Sequence, residues 1–435
     1  MRTCLPISMS LTLAACAGGN VAREHDAMIG ALGRIERERP ASIGDEVSLG
    51  TEALDRASLV TAVLARNPDL DAARAAWRAA TAAYPAAVTI NDPMLTYEVA
   101  PFSIGSRVPF GQRVELSQKL PYPGKRRAAG DAAIAGAEAA QADYGVLRLE
   151  LAETTVHAFD DYYVAARALD VNAHHHELIE RIHKSATAQY TVGKASQQDP
   201  LEAEATLIGL DRERLMLETQ QRAAVARINR LLRRRADAQL PPPPLKLEIV
   251  VPVDTGNTKH PKLVAAEARI REYSAEIAGA KRELYPDLEL MASYDSMWSD
   301  WQHRYMIGIG IEIPLQRSGR RASFERARAE QAKAAAELTS ATDMLDEDRD
   351  RARREVVEAK AALDLDEKRS LPTARSRIDA ALAGFMTGQN QFSTVVMAEH
   401  ALRDVELRIE QTRADLDRRI ATLDRLSGRI AGGGR

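Results

Sequence analysis

Residues 305–313 read Tyr305-Met306-Ile307-Gly308-Ile309-Gly310-Ile311-Glu312-Ile313, with an aromatic or apolar side chain at every second position and small, polar or thioether residues between. A period of two belongs to an extended strand with one apolar face. Just upstream, Leu288, Leu290, Ala292 and Tyr294 alternate with Asp287, Glu289, Met291, Ser293 and Asp295, so a β-hairpin is expected over 287–314. An earlier hairpin is expected over 93–120. There Leu95, Tyr97 and Val99 alternate with Met94, Thr96 and Glu98, and Val114, Leu116 and Leu120 with Arg113, Glu115, Ser117 and Lys119.

Two arrangements fit such strands: a soluble antiparallel sheet with one face on a core, or strands of a membrane β-barrel with lipid on one side and water on the other. Each run is about 9–10 residues, enough for a tilted strand to cross a bilayer. Tyr294, Trp298, Trp301 and Tyr305 gather at one hairpin end, as residues of an interfacial girdle do. Four strands cannot close a barrel, because known barrels need about eight or more. A barrel therefore demands oligomerisation, and three copies would supply twelve strands. The polar face would then line a lumen with Glu98, Glu115, Asp287, Glu289, Asp295 and Glu312 against Arg113 and Lys119, an acidic excess that favours cations.

Outside the hairpins the chain reads as helix. Arg126 to Val192 contains no proline, and these 67 residues at 1.5 Å each make about 100 Å of helix. A second run of similar length is expected from Arg320 to Gly384, and return helices from Pro200 to Arg235 and from Phe392 to Gly428. Such lengths far exceed those of ordinary globular helices and belong to coiled-coil or tubular assemblies. Small residues such as Ala132-Ala133 and Ala334-Ala335-Ala336 let helices approach closely.

The chain is also written twice. Landmarks recur in the same order at an offset of about 195: Asn67-Pro68 with His260-Pro261, Tyr84-Pro85 with Tyr285-Pro286, Leu120-Pro121 with Ile313-Pro314, and Gly124-Lys125-Arg126 with Gly319-Arg320-Arg321. Tyr190-Thr191-Val192-Gly193 matches Phe385-Met386-Thr387-Gly388, and each glycine is followed ten residues on by Ala-Glu, at Ala203-Glu204 and Ala398-Glu399. The expected organisation is a first repeat over 58–240 turning near 193, a proline-rich linker over 241–258, and a second repeat over 259–428 turning near 388. Residues 16–57 read as an irregular tether and 429–435 as a disordered tail.

The N-terminus carries Arg2, a short apolar run from Leu5 to Ala15, and then Leu13-Ala14-Ala15-Cys16. This is the pattern of a removable leader over 1–15, too short to span a bilayer. Leu-Ala-Ala-Cys resembles the lipobox of bacterial lipoproteins, which implies lipidation of Cys16; Ala17 in place of aspartate implies outer-membrane sorting. The only other cysteine is Cys4, so no disulfide or cysteine-based metal site belongs to the body of the protein.

Of the 435 residues, 59 are Lys or Arg and 62 Asp or Glu, a formal net charge of -3 that argues against a general nucleic-acid binder. His174-His175-His176, with His157 and His183, is the most metal-like cluster. Adjacent residues on a helix diverge by about 100°, and no two of these five stand three or four apart, so solvated or intersubunit histidines are expected rather than a metal site. Met291, Met297 and Met306 could touch a soft cation, with Met94, Met291 and Met306 on the lumen side, although packing explains them more simply. Arg233-Arg234-Arg235 and Arg351-Ala352-Arg353-Arg354 read as solvated helix faces. No carboxylate, histidine and serine combine into a compact catalytic motif and no phosphate-binding glycine loop occurs, so no enzyme activity, catalytic residue or cofactor is expected.

The doubled order, Pro121-Tyr122-Pro123-Gly124-Lys125-Arg126 after the second strand, and Tyr-x-x-Gly at the helical turn resemble the TolC-type outer-membrane efflux proteins across about residues 58 to 428. Ser117-Gln118-Lys119-Leu120-Pro121 leading into that stretch looks most like the CusC and CzcC branch, which accompanies heavy-metal resistance-nodulation-division pumps. The resemblance implies a mainly α fold with a membrane β-barrel. In it, four strands per chain complete a twelve-stranded barrel in a homotrimer, continuous with an α-helical tunnel in the periplasm of a Gram-negative bacterium. It also implies a periplasmic adaptor and an inner-membrane pump as partners, with Tyr190, Gly193, Phe385 and Gly388 at the adaptor-facing tips. Some family members narrow the tunnel with aspartates near the second tip, but 384–393 holds no carboxylate here. Asp199 near the first tip is either such a carboxylate or the N-cap of a helix starting at Pro200. A duct for organic compounds or type I secretion, and a periplasmic coiled-coil adaptor or structural lipoprotein, are the alternatives. An adaptor would not need two bilayer-length hairpins.

Overall fold

The structure, a computed structural model, describes residues 19–37, 49, 53–101, 110–193, 195–251, 259–298, 300–387 and 389–432. The leader, Cys16 and Gly388 lie outside the described residues. The elements in chain order are α1 (Gly19–Arg37), α2 (Arg56–Arg66), α3 (Pro68–Val88), β1 (Met94–Ala100), β2 (Gly111–Leu120), α4 (Lys125–Thr191), α5 (Gln198–Leu231), α6 (Pro261–Arg282), β3 (Asp287–Asp295), β4 (Tyr305–Glu312), α7 (Arg317–Leu365), α8 (Leu371–Met386) and α9 (Phe392–Leu426). The chain forms two units, one of residues 1–36, 74–142 and 264–339, the other of 37–73, 143–263 and 340–435.

The first unit contains an antiparallel sheet in the order β1-β2-β3-β4. Its register places Leu95 opposite Leu116, Tyr97 opposite Val114, Val114 opposite Tyr294, Leu116 opposite Ala292, and Leu290 opposite Ile309. Directly opposed residues share a face, so the pairing gathers the alternating apolar residues of all four strands on one side. That side is open: Ile307 is 91% exposed, and Leu95, Ile309 and Ile311 are exposed with it. A soluble sheet would bury this face on a core; among the described residues no core covers it. Beside the sheet, Tyr84 and Ala80 of α3 and Val21 of α1 pack against Met28, Ile134 and Ala137. Gly130 admits this contact, because a Cβ there would meet Val88 at 2.7 Å.

The segment expected as an irregular tether therefore carries a helix. α1 buries Met28 and Leu32 on one side, and Arg78 pairs with Glu36 at its end. The spacing of Val21, Met28 and Leu32 is helical, but the mixed charges around them masked it.

The second unit is helical. Ile179 and Ile182 of α4, Ala203 and Leu210 of α5, Ile378 of α8 and Val395 of α9 share one core. Leu345 and Val356 of α7 pack with Leu416 and Ile420 of α9 in another. α4 spans 67 residues, as the absence of proline requires. The second long run is different. It holds Pro372, which removes a backbone donor, and a π-helical turn over Asp366–Ser370 separates α7 from α8. α5 ends at Leu231, so Arg233, at φ 56, stands in the exit turn and not on a helix face.

The described part of the proline-rich linker, 241–251, forms neither helix nor strand and is anchored at its start: Leu54 N donates to Pro242 O at 2.8 Å and the Tyr162 hydroxyl to Pro241 O at 3.2 Å. In the segment expected as a disordered tail, residues 429–432 pack onto the helices. Ala431 is buried among Val60, Ala152, Val156 and Ala421, because the turn at Gly428 and Gly432, both at positive φ, folds the chain back onto these small side chains. Among the described residues no helix is long and apolar enough to cross a membrane.

Candidate duct wall and helical tips

Strand parity and register together put every charged strand residue singled out above on the polar side of the sheet. Glu98 stands opposite Arg113, which stands opposite Asp295; Thr96, Glu115 and Ser293 form the next row; Lys119 faces Glu289, and Asp287 faces Glu312. Arg113 Nη2 bonds Glu115 Oε2 at 2.6 Å, and Lys119 Nζ lies 3.5 Å from Glu312. Gly308 and Gly310 leave room for Met291, whose methyl would be 3.4 Å from a Cβ at Gly308. Met94 shares the row of Ser117 and Met291, while Met297 lies in the turn beyond β3 and packs against Gly111.

The wall holds one further cation that strand parity does not reveal. Lys125, the first residue of α4, places Nζ 2.9 Å and 3.0 Å from the two Asp287 oxygens and 3.4 Å from Glu283. Asp287 also accepts from Tyr122 N at 2.7 Å. Asp287 is thus neutralised at the foot of the sheet, whereas Glu98 and Glu289, although Arg113 and Lys119 stand opposite them in the register, have no cation within ion-pair distance among the described residues, since those two side chains pair with Glu115 and Glu312. The signal was the Gly-Lys-Arg sequence four residues after β2, which puts a flexible cation within reach of the start of β3.

At the first helical turn, Gly193 N donates to Tyr190 O at 2.9 Å, and Gly193 adopts φ 72 with open space around it. Tyr190 and Val192 are exposed. Asp199 is not an N-cap: α5 begins at Gln198, Gln197 precedes it without a side-chain cap bond, and Ser196 Oγ accepts from Gln198 N at 3.1 Å. Asp199 sits in the first turn, where the helix dipole favours a negative charge.

At the second turn, Phe385 stands one residue before the end of α8 but does not face outward. It is 7% exposed and meets Phe392 edge-to-face at 5.4 Å, because helical periodicity aims it at α9. Its neighbour Met386, 75% exposed, takes the outward position. Gly384 makes the turn tight: Gln389 N and Asn390 N both donate to its carbonyl, and the Asn390 amide occupies the space of a Cβ.

Within the histidine run, expected to be solvated or intersubunit, His174 is exposed and His176 half-buried, and His175 alone departs from that reading. His175 is fully buried, with Nδ1 2.9 Å from Glu399 Oε1 and Nε2 3.0 Å from Glu406 Oε2. Burial alone would lower its pKa, but the two carboxylates outweigh that and raise it. The imidazole ring ties α4 to two turns of α9. His176 Nε2 lies 3.6 Å from Asp211, and among the described residues no group of three ligands could hold a metal ion. Nearby, Arg413 binds Glu410 and Glu367 at 2.7 Å and 2.5 Å, and Tyr163, bonded to Glu410, has its phenol pushed up to about 12, mainly by burial.

The model of a family described as outer membrane efflux protein matches residues 59–232 and 257–429, one segment per repeat. The fold is similar to that of the outer-membrane channel OprN, at a TM-score of 0.76 and 22% identity over 87% of this chain and 90% of that one. It is similar to CusC, whose structures concern folding and transmembrane channel formation, at a TM-score of 0.75 and 15% identity over 90% and 98%. For the CmeC outer membrane channel of Campylobacter jejuni the values are 0.73 and 15% over 87% and 86%. At these identities the likeness is one of fold. No curated protein matches significantly in sequence.

Proposed function

This chain belongs to the outer membrane efflux protein family, and from that premise we propose that three copies form the outer-membrane exit duct of a tripartite efflux system. The carrying observation is the sheet: four strands with one exposed apolar face, one charged face, and open edges at β1 and β4. Pairing β4 of one copy with β1 of the next would close twelve strands, satisfy the edge hydrogen bonds, and turn the apolar face to lipid. The exposed Tyr190, Val192 and Met386 at the helical turns would meet a periplasmic adaptor, and an inner-membrane resistance-nodulation-division pump would supply the energy. Cys16 would carry the lipid anchor.

The duct is a passive path whose selectivity follows its wall. Glu98 and Glu289, with no cation within ion-pair distance among the described residues, support cation passage, and heavy-metal cations are the proposed cargo. Organic compounds are the alternative if the wall shows no cation preference.

The protein extracted from outer membranes in mild detergent should have the mass of three chains by light scattering and give discrete single-channel conductance in planar bilayers. A non-conducting monomer would sink this reading.

A further inference from the structure

At three of the four junctions between strand and helix cations gather: Lys125, Arg126 and Arg127 open α4, Lys281 and Arg282 close α6, and Arg317, Arg320 and Arg321 open α7. Lys125 is held by Asp287, and Arg126 Nε donates to Val88 O at 2.7 Å. Lys281 and Arg282 have no carboxylate within ion-pair distance among the described residues. Lys281 Nζ lies 5.6 Å from the centre of the Phe324 ring. Arg282 lies across the Pro123-Gly124 turn, its Nη1 donating to Ala278 O at 2.9 Å. Gly124, at φ 90, admits it, since a Cβ there would stand 2.5 Å from Arg282 Nε.

Beside these cations is a cavity of about 620 Å³ lined by Tyr122, Tyr285, Ile277, Ala278, Lys281 and Arg282. Tyr122 and Tyr285 stack with ring centres 4.7 Å apart and planes 12° apart. The last turn of a helix favours cations through its dipole, which accounts for Lys281 and Arg282 but not for the stacked phenols or the hollow. Tyr122 stands two residues after the end of β2 and Tyr285 two before the start of β3. If the sheet crosses the membrane, the cavity lies at the membrane boundary, where aromatic and basic side chains meet headgroups.

We propose that this cavity binds the phosphodiester headgroup of an anionic phospholipid, with its acyl chains along the exposed apolar sheet face. Lys281 and Arg282 supply the countercharge, the phenol hydroxyls can donate to the phosphate oxygens, and Ile277 and Ala278 add apolar lining. The site rests on the membrane-barrel reading above.

The test uses the full chain extracted from outer membranes, titrated with dioleoyl phosphatidylglycerol or dioleoyl phosphatidylcholine and read by native mass spectrometry. Saturable binding of the anionic lipid is expected. Lys281→Gln with Arg282→Gln should weaken it at least about tenfold, leaving the zwitterionic lipid unaffected, and Lys281→Arg with Arg282→Lys should retain it. Equal binding of the two lipids, or full retention by the glutamine pair, overturns the proposal. Glycerophosphoglycerol binding as tightly as the lipid overturns the lipid assignment. Should the glutamine pair misassemble, Tyr285→Ala serves instead, with the same expected loss and the same overturning result. A protein that fractionates with outer membranes and conducts, yet shows no anionic preference, sinks this site alone; absence from outer membranes sinks the channel reading itself.

Discussion

Nδ1 of His175 on α4 and Oε1 of Glu399 on α9 stand 2.9 Å apart, 224 positions apart in sequence, with no exposed surface on either side chain. Nε2 of the same ring meets Glu406, so the histidine bridges two carboxylates that would otherwise repel in a buried site.

The pH dependence follows. His175 has a raised pKa in the fold, so its contribution is full below the unfolded value of about 6.5 and fades as pH rises through the folded value. Glu406 is lowered despite burial, chiefly by the His175 hydrogen bond, so its contribution is full above about 4.3 and fades as pH falls through its folded value. The bridge should stabilise most between those two limits. His175→Ala should cost about 3 kcal/mol there and less at alkaline pH, measured by denaturant melts across pH. A cost independent of pH would refute the charged bridge.

Asp160 makes the opposite prediction. It is fully buried, and burial followed by the charge of Asp417 raises its pKa well above the usual carboxylate value, although Arg56 pairs with Asp417 and Arg418 Nε lies 3.9 Å from Asp160. A raised acid stabilises below its unfolded pKa of about 3.9 and loses that as pH rises through the folded value. Asp160→Asn should therefore raise stability by about 1 kcal/mol at alkaline pH, by removing a charge that burial disfavours. A destabilised variant at alkaline pH in thermal melts would contradict this.

The duct wall can be tested one charge at a time. Glu98→Gln and Glu289→Gln each remove a negative charge that no ion pair holds and should lower the cation-to-anion permeability ratio about twofold. Lys125→Gln should raise it by releasing Asp287. Reversal potentials under a salt gradient read all three, and a shift toward anions for Lys125→Gln would reject the assignment of Asp287 to the wall.

Phe385 and Met386 separate fold from contact. Phe385→Ala should cost about 3–4 kcal/mol because it empties a buried ring position. Met386→Ala should leave stability within about 0.5 kcal/mol while weakening capture of the adaptor. Equal melting temperatures for the two variants would show that Phe385 is not in the core.

Much of this architecture is local information. The alternation at Tyr305–Ile313 and the proline-free stretch behind α4 fix element type within the segment itself, since a period of two or an unbroken backbone donor series needs no distant partner. Departures have two origins. The π-turn before α8 stands directly ahead of Pro372, a local interruption of the backbone donor series, whereas α1 depends on distant partners, its apolar positions packing with Ile134 and Ala137.

For the candidate site, strand parity in the sequence was enough to put eight charged residues on one side, because the side-chain period of a strand is two. It could not say which of them keep their charge. Asp287 is neutralised by Lys125 from another repeat, His175 is buried between carboxylates of α9, and Phe385 turns inward while Met386 turns out. The sequence by itself determined strand, helix and duplication, which are set by periodicity along the chain. Only the tertiary structure decided pairing and burial, because these depend on distances between segments that the order of residues does not contain.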